Sequence, residues 1–135
     1  MSKNKQDIAL FFRALADRTR LRLLNLIADR EVCVCYFVEI LGMNQPKISR
    51  HLAYLRRAGL VQARREGKWM HYRISEPADA TAKAVLQGVR GWLEQDEAMK
   101  KDRARLDIIC CAPKPPARLR NAPLPAKAKL IVAAE

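Results

Sequence analysis

The sequence predicts a mainly α-helical domain with one small β-hairpin, in the order helix, helix, helix, helix, hairpin, helix. Apolar residues recur at helical spacing over much of residues 6–106, residues typical of helix caps stand between these stretches, and residues 60–74 alternate instead. The 135 residues suffice for one domain. We expect that domain to span residues 1–107 and a cysteine-containing, proline-rich basic tail to follow as a linker-like extension over residues 108–135.

The first three helices are short. The apolar residues that predict the first are Ile8, Phe11, Phe12 and Leu15. Asp17 is a typical N-cap for a second helix that ends near Ile27. The stretch that begins near Cys35 favours a third helix, because Gly42 fits a C-terminal cap.

The fourth helix is the most clearly marked element. Asn44 can cap its first turn, Pro46 is tolerated in that turn, and Gly59 supplies the stop. One face is an apolar stripe of Ile48, Leu52 and Leu55. The other face is polar and basic, and consists of Gln45, Lys47, Ser49, Arg50, His51 and Tyr54.

Two strands and a long helix complete the domain. Residues 60–65 and 69–74 predict a hairpin around Glu66, Gly67 and Lys68. Beyond Pro77 we expect a single helix over about residues 78–106. Its apolar side consists of Val85, Leu86, Val89, Trp92 and Leu93. Together with Ile8, Phe11 and Phe12 of the first helix, this side predicts the interface of a homodimer.

The charge of the chain indicates a nucleic-acid partner. The formal net charge is +12, and residues 1–111 keep 21 of the 26 basic residues and 13 of the 14 acidic ones, so the domain itself is basic at +8. No apolar run approaches the roughly 20 residues of a membrane span, and residues 1–13 lack the core of a secretory signal. We therefore expect a cytoplasmic protein with no membrane partner.

Enzymatic activity is not expected. The chain has no glycine-rich phosphate loop, and no nucleophile stands in a recognisable setting with His and carboxylate partners. We accordingly predict no catalytic residues and no catalytic cofactor.

A short helix, a turn at Gly42 and a second helix with a basic face are typical of a helix-turn-helix, whose second helix enters the major groove of DNA. The basic hairpin that follows would be its wing. We expect contacts to base edges or nearby phosphates from Gln45, Lys47, Ser49 and Arg50, and contacts to the DNA backbone from His51 and Tyr54. The wing residues expected over the adjacent backbone or minor groove are Arg64, Arg65 and Lys68. A plain solvent-exposed face is the alternative for each.

The four cysteines form two close pairs, Cys33 with Cys35 and Cys110 with Cys111. In a reducing compartment such pairs indicate soft-metal or redox chemistry more than structural disulfides. The chain has only two histidines, and both lie in the predicted DNA-reading module, so a site of hard or borderline ligands is disfavoured.

Three segments carry a family resemblance: residues 15–21 (LADRTRL), 31–35 (EVCVC) and 44–61 (NQPKISRHLAYLRRAGLV). They are similar to the ArsR/SmtB family of winged-helix metal-sensing repressors, and with the flanking helices the resemblance covers most of residues 6–106. It implies a homodimer, built on the first and last helices, that binds operator DNA near a resistance or efflux operon. Such a repressor leaves its operator when an inducer binds.

The resemblance also bears on the inducer. The family's zinc site on the last helix needs an Asp and a His two residues apart, and no histidine follows His71. Residues 31–35 match the start of the family's arsenic-sensing pattern, but the position of its third cysteine is Val38. Trivalent arsenic or antimony is best held by three thiolates, so the resemblance implies an inducer bound by Cys33, Cys35 and a sulfur of Cys110 or Cys111.

The origin of the third sulfur depends on the last helix. A helix of about 28 residues spans ~42 Å, which would carry Cys110 away from its own third helix and towards the partner subunit. We therefore expect a site shared between subunits, with a site within one chain as the alternative. Two other functions stay open: a thiol redox switch, and sensing of cadmium or lead by the same fold.

Overall fold

The computed structural model describes residues 6–110, 112–127 and 131–132. The helices are α1 (Ile8–Leu15), α2 (Arg18–Ile27), α3 (Val34–Leu41), α4 (Gln45–Arg57), α5 (Ala80–Gln95) and α6 (Glu97–Cys110), with a 3₁₀ turn at Ala117–Leu119. The strands are β1 (Arg30–Cys33), β2 (Val61–Glu66), β3 (Trp69–Glu76), β4 (Ala126–Lys127) and β5 (Ile131–Val132). The first four helices and the hairpin are confirmed in their predicted order.

The first strand, β1, was not predicted from the sequence. β1 has only four residues and runs directly into α3, so it shows no periodicity of its own. Its strand conformation comes from antiparallel pairing with β3, in which Val32 lies opposite Tyr72 and Cys33 lies opposite His71. A third strand is thereby added beside the β2–β3 hairpin.

The prediction of one continuous last helix is wrong. Asp96 has an extended backbone, with ψ at 130°, and ends α5. Its side chain then accepts a hydrogen bond from the backbone N–H of Met99 at 3.0 Å, which caps α6. The chain therefore turns at Asp96, and α6 continues to Cys110, past the expected end of the domain at residue 107.

After this turn α6 packs on the same chain. The guanidinium of Arg22 on α2 makes two hydrogen bonds to the carboxylate of Asp102, at 2.7 and 3.0 Å. Arg105 donates to the backbone carbonyl of Ile40 on α3 at 3.0 Å. These contacts hold α6 against the helices that support α4.

The core lies between the helical layer and the sheet. Its largest fully buried side chains come from the helices and the sheet, and include Leu23, Phe37, Ile48, Leu52, Leu55 and Leu106 with Val32 of β1 and Val61 of β2. The apolar stripe predicted on α4 is therefore buried completely, which turns the opposite face of α4 outward.

Part of the tail packs on the domain, which differs from the linker expected from its composition. Leu119 is 3% exposed, and Arg118 lies 3.4 Å from the carboxylate of Glu39 on α3. β4 pairs antiparallel with β1, and β5 pairs parallel with β3. The division of the chain after residue 107 stays a prediction. Among the described residues, no helix has the length and apolarity required to cross a bilayer.

Candidate functional site

The turn between α3 and α4 is built by two local residues. Gly42 caps α3 with φ at 66°, a left-handed conformation that glycine adopts without strain. The side-chain oxygen of Asn44 accepts a hydrogen bond from the backbone N–H of Lys47 at 2.9 Å and caps α4. The two helices thus form the predicted helix-turn-helix.

The predicted base-reading residues lie at the start of α4 and face solvent. Gln45, Lys47 and Arg50 are exposed, and Ser49 is half-buried. Within the residues that the structure describes, the side chains of Gln45, Lys47 and Arg50 make no hydrogen bond or ion pair. They are available to a ligand without breaking an existing contact.

His51 and Tyr54 differ from these residues because both contact α2. The Nδ1 atom of His51 lies 3.2 Å from Arg20 and 3.8 Å from the carboxylate of Asp17. The guanidinium of Arg20 also lies 4.2 Å from the centre of the Tyr54 ring, and that of Arg57 lies 5.0 Å from it. Sequence reasoning assigned no role to Arg20.

The predicted wing residues differ in whether they are bound to a carboxylate. Arg65 and Lys68 are exposed near the tip, where the Lys68 ammonium lies 5.0 Å from the centre of the Trp69 ring. Arg64 instead donates to the carboxylate of Glu31 on β1, with its Nε at 2.9 Å. A phosphate that binds Arg64 would therefore share its guanidinium with Glu31.

Glu31 joins β1 to both strands of the hairpin. It accepts hydrogen bonds from Arg64 on β2 and, at 2.9 Å, from Arg73 on β3. The hydrogen bond from Arg64, reinforced by that from Arg73, holds the pKa of Glu31 below its ordinary value despite burial, which acts in the opposite direction. The pairing of β1 with β3 brings these three residues together, so this cluster could not be predicted from local sequence patterns.

Cys33 and Cys35 form a thiol pair at the junction of β1 and α3. The Cys35 thiol donates to the Cys33 sulfur across 2.9 Å, and Cys33 is fully buried. This hydrogen bond, with backbone hydrogen bonds at Cys35 and Met70, lowers the pKa of Cys33 to about 7 despite burial. The pKa of Cys35 is raised, because its proton is held by Cys33 and because its thiol is buried.

The other thiol pair lies at the end of α6. The sulfur of Cys110 lies 3.4 Å from the backbone carbonyl of Asp107, and Cys111 lies outside the described residues. Over residues 6–110, 112–127 and 131–132, no three side chains of His, Cys, Asp or Glu cluster closely enough to hold a metal ion. The three-thiolate site stays a prediction.

The position of α6 removes the geometric basis for expecting a thiolate site shared between subunits. The ~42 Å estimate assumed one straight helix, whereas the chain turns at Asp96 and α6 returns along its own α2 and α3. Near its end, Asp107 lies 3.3 Å from Arg30, three residues before Cys33. The end of α6 is therefore close to β1 of the same chain.

The predicted dimer stripe divides into a buried and an exposed part. Phe11, Leu86 and Leu93 are buried within the single chain. Ile8 and Phe12 on α1 are 69% and 51% exposed, and Trp92 on α5 is 76% exposed. An open groove of about 500 Å³ adjoins Trp92 between the α1–α2 corner and the start of α6. These exposed apolar side chains leave a surface that a second subunit could cover.

Comparisons with known proteins agree with this architecture. A family model described as bacterial regulatory protein, arsR family, matches residues 17–63. Arsenic resistance transcriptional regulator ArsR1 of Pseudomonas putida KT2440 is 45% identical over 109 residues, which cover 75% of this chain and 85% of that protein. The arsenical resistance operon repressor of Escherichia coli K12 is 44% identical over 96 residues, which cover 70% and 82%. The solved structure of HlyU from Vibrio cholerae N16961 has a TM-score of 0.57 at 32% identity and covers 70% of this chain and all of that one.

Proposed function

Because this chain belongs to the ArsR family of bacterial regulatory proteins, we propose that it is a homodimeric repressor that trivalent arsenic or antimony releases from operator DNA. Proteins of this family and fold are DNA-binding transcriptional regulators, and the relatives named above include repressors of arsenical resistance. The inducer, its thiolate ligands and the dimer belong to the proposal.

The observation that carries the proposal is the contact between Cys33 and Cys35. Their sulfurs lie 2.9 Å apart, where β1 ends and α3 begins. With a pKa of about 7, Cys33 is substantially thiolate at neutral pH, and the thiolate is the form that binds soft ions. This contact supports Cys33 and Cys35 as two of the proposed thiolate ligands.

Arsenite binding would exchange ligands without oxidation or reduction. Each thiol loses its proton and forms an As–S bond, while the proton leaves with a hydroxide of As(OH)₃ as water. Three thiols therefore release three waters, and arsenic stays trivalent. Burial of Cys33 would shield these bonds from solvent.

The third thiolate would come from Cys110 or Cys111. The contact of Arg30 with Asp107 supports a site within one chain, because it holds the last turn of α6 beside β1. The site shared across a dimer remains the competing version. Both versions need this third sulfur because Val38 stands where the arsenic-sensing pattern has its third cysteine.

Ligation at this junction would act on both parts of the DNA-reading module. Cys33 pairs with His71 in the wing, and α3 packs against α4. If ligand-bound dimers hold the two α4 helices at the wrong spacing, a coupling of about 1–3 kcal/mol lowers DNA affinity roughly 5- to 150-fold. By thermodynamic reciprocity, bound DNA lowers metalloid affinity by the same factor.

The test is release of fluorescent DNA, measured by anisotropy under reducing conditions. The probe is a duplex that the protein itself selects from random sequences, compared with a scrambled duplex at matched salt. We expect release by arsenite, antimonite or methylarsenite but not by Zn²⁺, and loss of release in Cys33→Ser and Cys35→Ser. Unchanged DNA affinity after metalloid has saturated all four cysteines would overturn the proposal.

Mixed dimers distinguish the two positions of the third sulfur. One protomer carries Cys33→Ser with Cys35→Ser, and the other carries Cys110→Ser with Cys111→Ser. A site shared across the dimer leaves one intact site in the mixed dimer, whereas a site within one chain leaves none. Metalloid binding by the mixed dimer therefore supports the shared version, and its absence supports the version within one chain.

The 2.9 Å separation and the lowered pKa of Cys33 also favour a second candidate, a thiol redox switch. Peroxide would take two electrons and two protons from the pair and form a disulfide. Release of DNA by peroxide in metal-free buffer, reversed by dithiothreitol, would support the redox switch. Release by Cd²⁺ or Pb²⁺ but not by arsenite would instead indicate a sensor of soft divalent metals.

A further inference from the structure

Arg20 holds the C-terminal end of α1. Its Nε donates to the backbone carbonyl of Ala14 at 2.9 Å, and its Nη2 donates to that of Arg13 at 2.9 Å. Carbonyls in the last turn of a helix lack an N–H partner within the helix. The Arg13 carbonyl also accepts from the backbone N–H of the capping residue Ala16 at 3.2 Å. Arg20 itself is fixed at the start of α2, where Asp17 accepts from its backbone N–H at 2.9 Å.

The remaining nitrogen of the same guanidinium reaches α4. Arg20 Nη1 lies 3.2 Å from His51 Nδ1, and the guanidinium carbon lies 4.2 Å from the centre of the Tyr54 ring. A guanidinium can only donate hydrogen bonds, so His51 Nδ1 must be the acceptor and cannot carry a proton. A neutral His51 then carries its proton on Nε2.

The surroundings of His51 favour this neutral form. From α2, Asp17 favours the protonated ring and Arg20 opposes it; from α4, Lys47 and Arg50 also oppose it. Burial is the largest contribution, and together with these three cations it keeps the pKa of His51 below its ordinary value. At neutral pH the ring therefore has one acceptor, which Arg20 occupies, and one donor.

We infer that Arg20 is a positioning residue for DNA binding: it joins the end of α1 to α4 and holds His51 in the tautomer whose Nε2–H can donate to a DNA phosphate. The inference rests on the proposed function and adds a residue that reaches the DNA only through another side chain. It also connects a helix of the proposed dimer interface to the helix that reads DNA, because one guanidinium bonds to both.

The first test is the tautomer of His51, read from ¹H–¹⁵N NMR spectra of the full-length protein without DNA. We expect the proton on Nε2 in the unchanged protein and a mixture of the two tautomers in Arg20→Met. His71, whose Nε2 lies 3.0 Å from Glu66, is the internal control. A proton on His51 Nδ1 in the unchanged protein, or the same tautomer in Arg20→Met, overturns the inference. Because this test needs no DNA, it is independent of the proposed function.

The second test is a double-mutant cycle on DNA affinity with Arg20→Met and His51→Ala. Loss of about one hydrogen bond predicts weakening by roughly five- to tenfold in Arg20→Met. The double variant should bind no more weakly than His51→Ala alone, because Arg20 acts through His51. Losses that multiply in the double variant contradict that dependence.

Arg22→Met is the matched control, since Arg22 also lies on α2 but its guanidinium bonds to Asp102 on α6. Both variants should lose stability in urea unfolding, but only Arg20→Met should lose DNA affinity once folded. Equal loss of affinity in both would reduce Arg20 to a structural role. If the unchanged protein binds no DNA at all, the proposed function fails. The tautomer measurement still shows whether Arg20 donates to His51 Nδ1.

Discussion

Helix α4 and the wing both carry lysine and arginine side chains, but these differ in whether a carboxylate of the same chain already binds them. On α4, Lys47 and Arg50 project from a helix whose opposite face is buried, and within the described part of the chain neither has an ionic partner. In the wing, Arg64 is bound to Glu31, and Arg73 behind it is bound to the same carboxylate. The difference is that the cations of α4 have no carboxylate partner in the described part of the chain, whereas the inner wing's cations are already paired with Glu31.

This difference assigns separate tasks to the two regions. A side chain without protein partners can bind a base edge without first breaking a contact within the protein. Arg64 already uses its Nε and Nη2 donors and part of its charge to bind Glu31, so we expect its net contribution to phosphate binding to be smaller. We expect sequence discrimination to come from α4, and the inner wing to join the DNA interface to β1, where Cys33 lies.

The largest expected effect is that of Arg50→Ala. Loss of a base-edge contact weakens binding to the selected duplex by up to about 150-fold, or ~3 kcal/mol, and by less for scrambled DNA. The wing counterpart, Arg65→Ala, should weaken both duplexes equally and reduce the salt dependence by about 0.9 in slope, as for one phosphate. Anisotropy titrations over a range of salt concentrations measure both. Equal losses for selected and scrambled DNA in Arg50→Ala would contradict the division between helix and wing.

Glu31→Gln should have the next largest effect, which we expect on the free energy of unfolding rather than on DNA affinity. Removing the charge weakens the hydrogen bonds from Arg64 and Arg73 and lowers the free energy of unfolding by about 2 kcal/mol at pH 7. The folded-state pKa of Glu31 is depressed, so the carboxylate's contribution is present above its ordinary value of 4.5 and is lost as pH falls through the folded value. Urea unfolding at pH 7 and at acid pH should therefore show a penalty that shrinks in acid.

Glu66→Gln is the control for that measurement, because its carboxylate is 56% exposed and pairs near the wing tip. We expect a change within about 1 kcal/mol for this exposed pair. A penalty for Glu31→Gln that persists in acid would show that its charge is not the cause.

Asn44→Ala tests the local construction of α4. Loss of the cap on the Lys47 N–H should cost about 1 kcal/mol of unfolding free energy. Asn44→Asp keeps an acceptor at this position and should retain most of the stability. Thermal unfolding followed by circular dichroism compares the three proteins. Equal stability of Asn44→Ala and the unchanged chain would mean that tertiary packing alone holds the start of α4.

The smallest expected effect is that of Lys68→Ala at the wing tip. Its exposed ammonium lies 5.0 Å from the centre of the Trp69 ring, so the free energy of unfolding should change by no more than about 1 kcal/mol. Affinity for selected and scrambled DNA should fall by the same small factor. A loss confined to the selected duplex would indicate that the wing tip reads sequence.

Much of α4 could be predicted because its signals are local. Asn44, Gly42 and the apolar stripe lie within 14 residues of one another, and the contacts that define the helix are between near neighbours. Aspartate is a recognised helix cap, but the turn at Asp96 was not predicted. Apolar residues occur both before and after it, so the pattern was interpreted as one continuous helix. Periodicity alone does not reveal that a helix has been interrupted and restarted.

The candidate sites were predicted unevenly for the same reason. Cys33 and Cys35 are two residues apart and their contact follows from chain proximity, as does the polar face of α4. Arg20 with His51, and Glu31 with Arg73, meet across 31 and 42 residues, and Arg22 meets Asp102 across 80. The first pair depends on the packing of α2 against α4, the second on the position of β1 beside the hairpin, and the third on the return of α6 to α2. Local sequence spacing determines where helices are capped and which of their faces are apolar. The partner of each charged side chain depends instead on how distant segments pack together, which the residues next to it in the sequence do not determine.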